Sequence, residues 1–112
     1  MQTITSCELN EPLDPHFETL RWNLKSKEAE IKSGKHGILH KKITRKGKVV
    51  LVRERNSSKI INIVFNDKRF PNSSTEYKIF KVDIWRAAIV QYIHIEGEKY
   101  LNFVQIREIT CK

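Results

Sequence analysis

Between Asp14 and Gly34, apolar side chains recur at the spacing of an amphipathic α-helix. The side chains that share one stripe, at about 100° per residue, are Phe17, Leu20, Leu24 and Ile31. Asp14 followed by Pro15 is typical of a helix start, because the carboxylate accepts from free N–H groups and proline suits the first helical position. Ser33-Gly34 is a matching end. The pattern predicts a helix over 15–33.

The same segment also permits a strand over 19–25, in which Leu20, Trp22 and Leu24 alternate. The two interpretations place the indole of Trp22 oppositely. A helix exposes it beside Arg21 and Lys25, whereas a strand buries it in the core. We adopt the helix, with Trp22 exposed.

Residues 38–65 change to β-branched runs separated by turn residues, which is typical of a three-stranded antiparallel meander. If Lys46-Gly47 is a two-residue turn, Ile43 lies opposite Val50. The core face would then be formed by Leu39, Ile43, Val50, Val52, Ile61, Ile63 and Phe65. The opposite face would carry His40, Lys42, Thr44, Arg53 and Arg55, with Leu51, Ile60 and Asn62.

The remaining third of the chain contains further strand patterns. Residues 66–76 are a polar loop, 77–84 a strand, and 83–92 are ambiguous between helical turn and strand. Gln91-Tyr-Ile-His-Ile, a Glu-Gly-Glu-Lys turn and 100–109 predict a long hairpin. The expected fold is therefore α+β. One N-terminal helix would pack on a mostly antiparallel, strongly twisted sheet or small barrel of about five to six strands, in a single domain over 1–112.

Charge is concentrated in the middle of the chain. The formal net charge is +8, and residues 21–55 hold twelve Lys and Arg against three Glu, whereas residues 1–20 hold four acids and neither Lys nor Arg. Such a concentration attracts anionic partners in a salt-dependent way. We expect a basic, nucleic-acid-binding protein, for DNA or RNA. An acidic protein partner, bound or inhibited through an exposed edge strand, is the alternative.

The predicted meander face would place like charges opposite one another, which destabilises a sheet unless an anion lies between them. The candidate nucleic-acid contacts are Arg21, Trp22, Lys25, His40, Lys42, Arg45, Arg53 and Arg55. Tyr92 and Tyr100 are further candidates for base stacking. For Trp85, Phe65, Phe80 and Phe103 we expect core packing instead. The competing interpretation of the cations is that they are solvated residues on the wet side of a sheet.

A catalytic role is the less favoured hypothesis. His36 and His40 cannot share a metal, because on a strand four residues span about 13 Å. A small toxin-like ribonuclease using His40, Glu54 and Lys42 is the enzyme alternative. No cofactor motif is present, so we expect no cofactor and no metal.

Two cysteines, Cys7 and Cys111, stand near the two ends of the chain. Neither an apolar run of about 18 residues nor a signal-peptide pattern is seen, so we expect an intracellular, cytoplasmic protein without membrane insertion. In that reducing setting the cysteines would be free thiols. A bridge between them is the alternative.

Overall fold

The computed structural model describes residues 6–33, 43–55, 58–66, 70–81 and 85–112, and these form a closed antiparallel β-barrel. Each strand pairs with the next along the chain, and the last pairs with the first. The strands are β1 (Ser6–Leu9), β2 (Glu18–Asn23), β3 (Glu28–Ser33), β4 (Ile43–Arg55), β5 (Ser58–Asn66), β6 (Ser73–Lys81), β7 (Arg86–Ile95) and β8 (Glu98–Cys111). The barrel is lopsided, because β1–β3 are short whereas β4 and β8 have 13 and 14 residues.

The predicted N-terminal helix over 15–33 is wrong, and so is the α+β class: the described residues contain no helix. The segment forms the β2–β3 hairpin instead. Its turn is set by Asn23, whose side-chain oxygen accepts from the backbone N–H groups of Lys25 and Ser26, with Lys27 at a φ of 63°. The chain here follows the alternating pattern of a strand and not the helical stripe. Trp22 therefore points into the core and is only 2% exposed.

The predicted turn at Lys46-Gly47 is also wrong, because β4 runs through it as one strand between β3 and β5. Gly47 is needed for close packing and not for turning. A Cβ at this position would lie 2.6 Å from both the Phe65 ring and the Val64 carbonyl oxygen. The proposed pairing of Ile43 with Val50 is therefore wrong. Residues 38–42, which were assigned to the first strand of the meander, lie outside the described part of the chain.

Other predicted strands are confirmed with adjusted bounds. β5 covers the third strand of the meander, and its Ile61, Ile63 and Phe65 face the core. The C-terminal hairpin is formed by β7 and β8 around Glu96-Gly97, whose φ angles of 50° and 84° are those of a type I′ turn. Of the ambiguous segment 83–92, the part from Arg86 onward is strand.

One core fills the barrel. Its fully buried members include Leu13, Leu20, Ile63, Phe65 and Tyr77, and the last two pack edge to face at 5.6 Å. A disulfide between Cys7 of β1 and Cys111 of β8 closes the seam of the barrel. The prediction of free thiols is therefore wrong.

Candidate functional site

Among the described residues, those predicted to contact nucleic acid do not share one surface. Arg21 points outward from β2 and the next residue, Trp22, points into the core. Arg45 is partly buried, with its guanidinium carbon 6.0 Å from the centre of the Phe65 ring. Trp85 and Phe80, by contrast, were expected in the core. Trp85 is 46% exposed, and Phe80 is partly buried.

The other predicted contacts are scattered or not described. Lys25 lies in the β2–β3 turn, and Arg53 is exposed near the end of β4. His40 and Lys42 lie outside the described residues, as does the side chain of Arg55. That these residues bind nucleic acid stays a prediction, but those the structure describes form no continuous patch.

On the outer surface of β1–β4, basic side chains face acidic ones across the strands. One row contains Glu8, Arg21, Glu30 and Lys46, each opposite the next. Arg21 lies 3.2 Å from Glu30, and Lys32 lies 3.6 Å from the same carboxylate. Burial opposes ionisation of Glu30, but the Arg21 hydrogen bond and the nearby cations outweigh it, so the pKa of Glu30 is lowered. This surface, which we call the charge-paired surface, balances its own cations.

A cavity of about 760 Å³ opens on the charge-paired surface. Its lining includes the same row of alternating charges and the polar side chains of Asn23 and Ser26. A cavity lined by both signs of charge is a weak site for a polyanion, because its carboxylates repel phosphate as its cations attract it.

The outer surface of β5–β8 is built differently. Since these strands alternate between core and outside, three rows of neighbouring side chains lie on the outer surface. The rows are Ile60, Phe80, Ala88 and Ile106; Asn62, Lys78, Val90 and Val104; and Val64, Glu76, Tyr92 and Leu101. Most of these residues are apolar, so these strands carry apolar side chains on the outer face as well as in the core.

The most exposed part of this surface is the outer side of β8. Leu101 is 62% exposed, and Val104 and Ile106 are each 57% exposed. Because Ile109 and Cys111 face the core, the period of two sends the polar Gln105 and Arg107 inward and the aliphatic pair outward. This is the reverse of the usual arrangement. A β-bulge at Asn102 shifts the register, so that Leu101 also faces outward, opposite Tyr92. We call Leu101, Val104 and Ile106 the β8 apolar row.

Cations lie over aromatic rings around the β8 apolar row. Lys99 is 4.1 Å from the centre of the Tyr92 ring, Arg86 is 4.4 Å from that of Trp85, and Lys78 is 5.6 Å from that of Phe80. Such contacts hold long basic side chains close to an apolar surface. The row therefore has three cations beside it, of which Lys99 also lies 3.7 Å from the Glu76 carboxylate and Arg86 lies opposite Glu108.

A polar network centred on Glu76 anchors this surface. Asn62 donates to the Glu76 carboxylate, which also lies 2.7 Å from His94 Nε2 and 3.7 Å from Lys99 Nζ. Burial would raise the pKa of Glu76, but the hydrogen bonds from His94 and Asn62 and the charge of Lys99 prevail and lower it. The ionised carboxylate thus fixes the position of Lys99 beside the β8 apolar row.

Inside the barrel, below this surface, a second polar network surrounds Tyr77. Gln91 Nε2 donates to the Tyr77 hydroxyl at 2.8 Å, and Asn102 donates to Gln91 at 2.5 Å. Burial, reinforced by Glu18, raises the pKa of the Tyr77 phenol well above its ordinary value. These hydrogen bonds hold the neutral phenol and the two amides in fixed positions. We therefore assign the network a structural role.

The described residues offer little for catalysis. In the part of the chain that the structure covers, no three His, Cys, Asp or Glu side chains converge as metal ligands. Glu54 is paired with Lys59 at 3.5 Å. The ribonuclease hypothesis also needs His40 and Lys42, which are not described, so it stays a prediction.

Among the described residues, no helix is long and apolar enough to cross a membrane. The chain matches no family model, and neither the curated proteins nor the solved structures contain a match.

Proposed function

We propose that this protein is a small binding module that docks an acidic protein partner through the outer surface of β7 and β8. The observation that carries the proposal is the β8 apolar row, in which three aliphatic side chains are more than half exposed on one strand. Contiguous exposed apolar surface in a folded protein is typical of protein–protein contact sites.

The orientation of β8 strengthens this inference. Sequence patterning normally directs aliphatic residues inward, yet here Gln105 and Arg107 take the inward positions and Val104 and Ile106 the outward ones. A strand that departs from the expected pattern at an ordered, hydrogen-bonded position is typical of functional surfaces.

The charge around the row indicates the chemistry of the partner. Lys99, Lys78 and Arg86 border the outer surface of β6–β8, and the whole chain carries a net charge of +8. Cations at the rim of an apolar patch accelerate and orient the binding of a surface with opposite charge. The complementary partner surface is apolar at its centre and acidic at its edge.

A pair of double variants tests the proposal. Leu101→Ser with Ile106→Ser removes most of the β8 apolar row, and we expect it to lose the partner. Val50→Ser with Leu51→Ser is the matched control, because these aliphatic residues are 58% and 39% exposed on β4. Each protein serves as bait in nuclease-treated extract of the source cells. A partner found this way is then purified and titrated calorimetrically at increasing salt.

The expected result is a purified partner that binds the wild type and the β4 control equally, binds the β8 variant at least about tenfold more weakly, and loses affinity as salt rises. A partner retained by the β8 variant contradicts the proposal. So does self-association of the wild type that uses up the same surface, measured by analytical ultracentrifugation.

Nucleic acid is the second candidate, favoured by the three cation–aromatic pairs on the same surface. Basic side chains beside aromatic faces are the elements that bind single strands. If Lys78, Arg86 and Lys99 each neutralise one phosphate, the logarithm of affinity falls against that of salt with a slope of about −2. Titration of labelled single-stranded DNA and RNA at two salt concentrations measures the slope, and binding indifferent to salt excludes this candidate.

A further inference from the structure

On the side of β8 that faces away from β7, β1 pairs only with Ile109, Thr110 and Cys111. Ile109 N–H donates to the Trp85 carbonyl on the β7 side, whereas the Glu108 carbonyl accepts from Asn10 N–H on the β1 side, both at 2.9 Å. Successive residues of an antiparallel strand present their backbone groups to opposite sides. Ile106 and Val104, like Glu108, therefore present theirs away from β7.

Side chains, not backbone, close the seam beside these residues. The side-chain amide of Gln105 accepts from Asp14 N–H at 3.0 Å and donates to the Asp14 carbonyl at 2.8 Å, as the peptide group of a neighbouring strand would. Arg107 donates to the Pro12 carbonyl at 2.9 Å and to the Ile106 carbonyl at 2.8 Å. The N-terminal segment is thus held one side-chain length away from β8.

The bridges from Gln105 and Arg107 lie beyond the stretch Glu98–Val104. Within the described residues, this stretch of β8 has β7 as its only strand neighbour. A cavity of about 540 Å³ opens beside it, between Phe103 and Gln105 on β8 and Pro15 and His16 on the N-terminal segment. A β-bulge at Asn102 interrupts this edge. On either side of the bulge the edge lies next to open space, where a free edge is a template for an added strand.

We infer that the partner adds an extended segment to β8 along Lys99–Val104, so that the recognition element is a β-strand and not a preformed folded surface. This inference rests on the proposed function and specifies how the same site is used. Backbone hydrogen bonds to the edge supply affinity, and alternate side chains of the added strand supply specificity.

The side chains along the edge define the sequence that fits. Those of the added strand that point outward lie beside Leu101 and Val104, which select apolar residues, and beside Lys99, whose ammonium already lies 3.7 Å from the Glu76 carboxylate. Those that point inward lie beside the cavity, whose polar lining includes Gln105 and the Asp14 carboxylate that Arg107 pairs with at 3.2 Å. The segment therefore alternates apolar residues with polar ones.

The experiment selects ligands from a display library of random peptides of about twelve residues, which at roughly 3.3 Å per residue exceed the length of Lys99–Val104. The intact, disulfide-bonded protein is the bait. Selected peptides are titrated into isotope-labelled protein, and each is also made with N-methyl groups on alternate residues, which removes N–H donors while keeping the side chains.

We expect the selected peptides to have the alternating pattern and to shift amide resonances only in Lys99–Val104 and its β7 neighbours. N-methylation of every second peptide residue should weaken binding about tenfold in one of the two possible sets of positions and not in the other. Val104→Pro removes an N–H that faces the open edge, so the fold is retained and peptide binding is lost. Val104→Ile is the matched control, since it keeps both the N–H and an exposed aliphatic side chain.

The inference is overturned if no peptide is selected, if Val104→Pro binds as the wild type does, or if N-methylation weakens binding in neither phase of the alternation. The proposed function stands in each of these cases if the Leu101→Ser, Ile106→Ser double variant still loses the partner. The partner would then bind through a folded surface and not through an added strand. Failure of the Leu101 and Ile106 test alone removes the proposed function instead.

Discussion

The charge-paired surface of β1–β4 and the outer surface of β5–β8 belong to one barrel and cover one core, yet they meet solvent in opposite ways. On the first, Arg21 and Glu30 neutralise each other across neighbouring strands. On the second, aliphatic side chains of β8 are exposed and Lys99 lies over the Tyr92 ring. A sheet needs only one apolar face to fold, so apolar residues on both faces of β5–β8 call for a use beyond folding.

The comparison also shows why net charge is a poor guide to a binding surface. The part of the chain richest in Lys and Arg contributes Arg21, Lys32 and Lys46 to a surface where the Glu30 carboxylate lies opposite the first and last and beside Lys32. The less basic C-terminal part carries the cations that border an apolar patch. The effect of a charge depends on its neighbours across the strands, which the fold alone defines.

The largest expected effect comes from opening the seam that joins the two regions. Cys111→Ser removes a disulfide that spans 104 residues of sequence and should lower the free energy of unfolding by about 4 kcal/mol, since the unfolded chain is no longer constrained. Denaturant titration measures the loss. Wild type under reducing agent is the control and should behave alike; a loss below about 1 kcal/mol would show that β1 and β8 hold together without it.

Gly47→Ala tests how closely the two regions approach inside the barrel. The added Cβ meets the Phe65 ring and the Val64 carbonyl oxygen at 2.6 Å, so we expect destabilisation by about 1–3 kcal/mol. The neighbouring exposed residue gives the control, Lys46→Ala, which should change stability by less than about 0.5 kcal/mol. Equal effects of the two substitutions would refute the packing role of Gly47.

Glu76→Gln sharpens the comparison by removing the charge at the centre of the β5–β8 surface. The pKa of Glu76 is lower folded than unfolded, so its stabilisation is present above the ordinary glutamate value of about 4.3 and is lost as pH falls through the lower folded value. We expect a loss of about 1–2 kcal/mol near pH 7 that shrinks below about pH 4.

Chemical denaturation across this pH range measures the Glu76→Gln difference. Glu54→Gln is the control, because its side chain is 72% exposed and its ion pair with Lys59 lies at the surface. A difference between wild type and Glu76→Gln that stays constant down to about pH 3 would contradict the assigned role of the Glu76 charge.

The smallest effect is expected on the charge-paired surface. Arg21→Ala breaks an ion pair whose arginine side chain is 57% exposed, and such pairs contribute about 0–1 kcal/mol, less at high salt. Thermal unfolding at low and high salt measures it. A loss as large as that of Glu76→Gln would mean that the two surfaces are energetically alike.

Local patterns predicted the strands whose alternation agrees with their environment. The β7–β8 hairpin follows from its Glu-Gly turn, and β5 follows from its inward Ile61, Ile63 and Phe65. The helix over 15–33 failed because its apolar residues fit two periods, and only pairing with β1 and β4 selects the extended one. Local sequence contains no information on those partners.

The candidate site was harder to predict than the strands. Val104 and Ile106 have the pattern of core residues, and only the inward positions of Ile109 and Cys111, fixed by closure onto β1, send them outward. The Cys7–Cys111 pairing depends on the same closure. A signal was nevertheless present in the sequence: Phe103 and Ile109 fall in one phase of the alternation and Val104 and Ile106 in the other, so one of the two pairs had to face outward.

The pairing of β1 with β8 brings Ser6 and Lys112 into mutual backbone hydrogen bonds of 3.1 and 2.7 Å. The seam is thus a hairpin that lacks its connecting turn, and the barrel has no topologically privileged starting strand. A circular permutant with a short linker across Ser6 and Lys112, and new ends at Glu96-Gly97, should keep every strand neighbour while freeing the tip of β7 and β8. Such a rearranged chain would show whether folding of the barrel depends on its strand neighbours alone or also on the order in which the strands are synthesised.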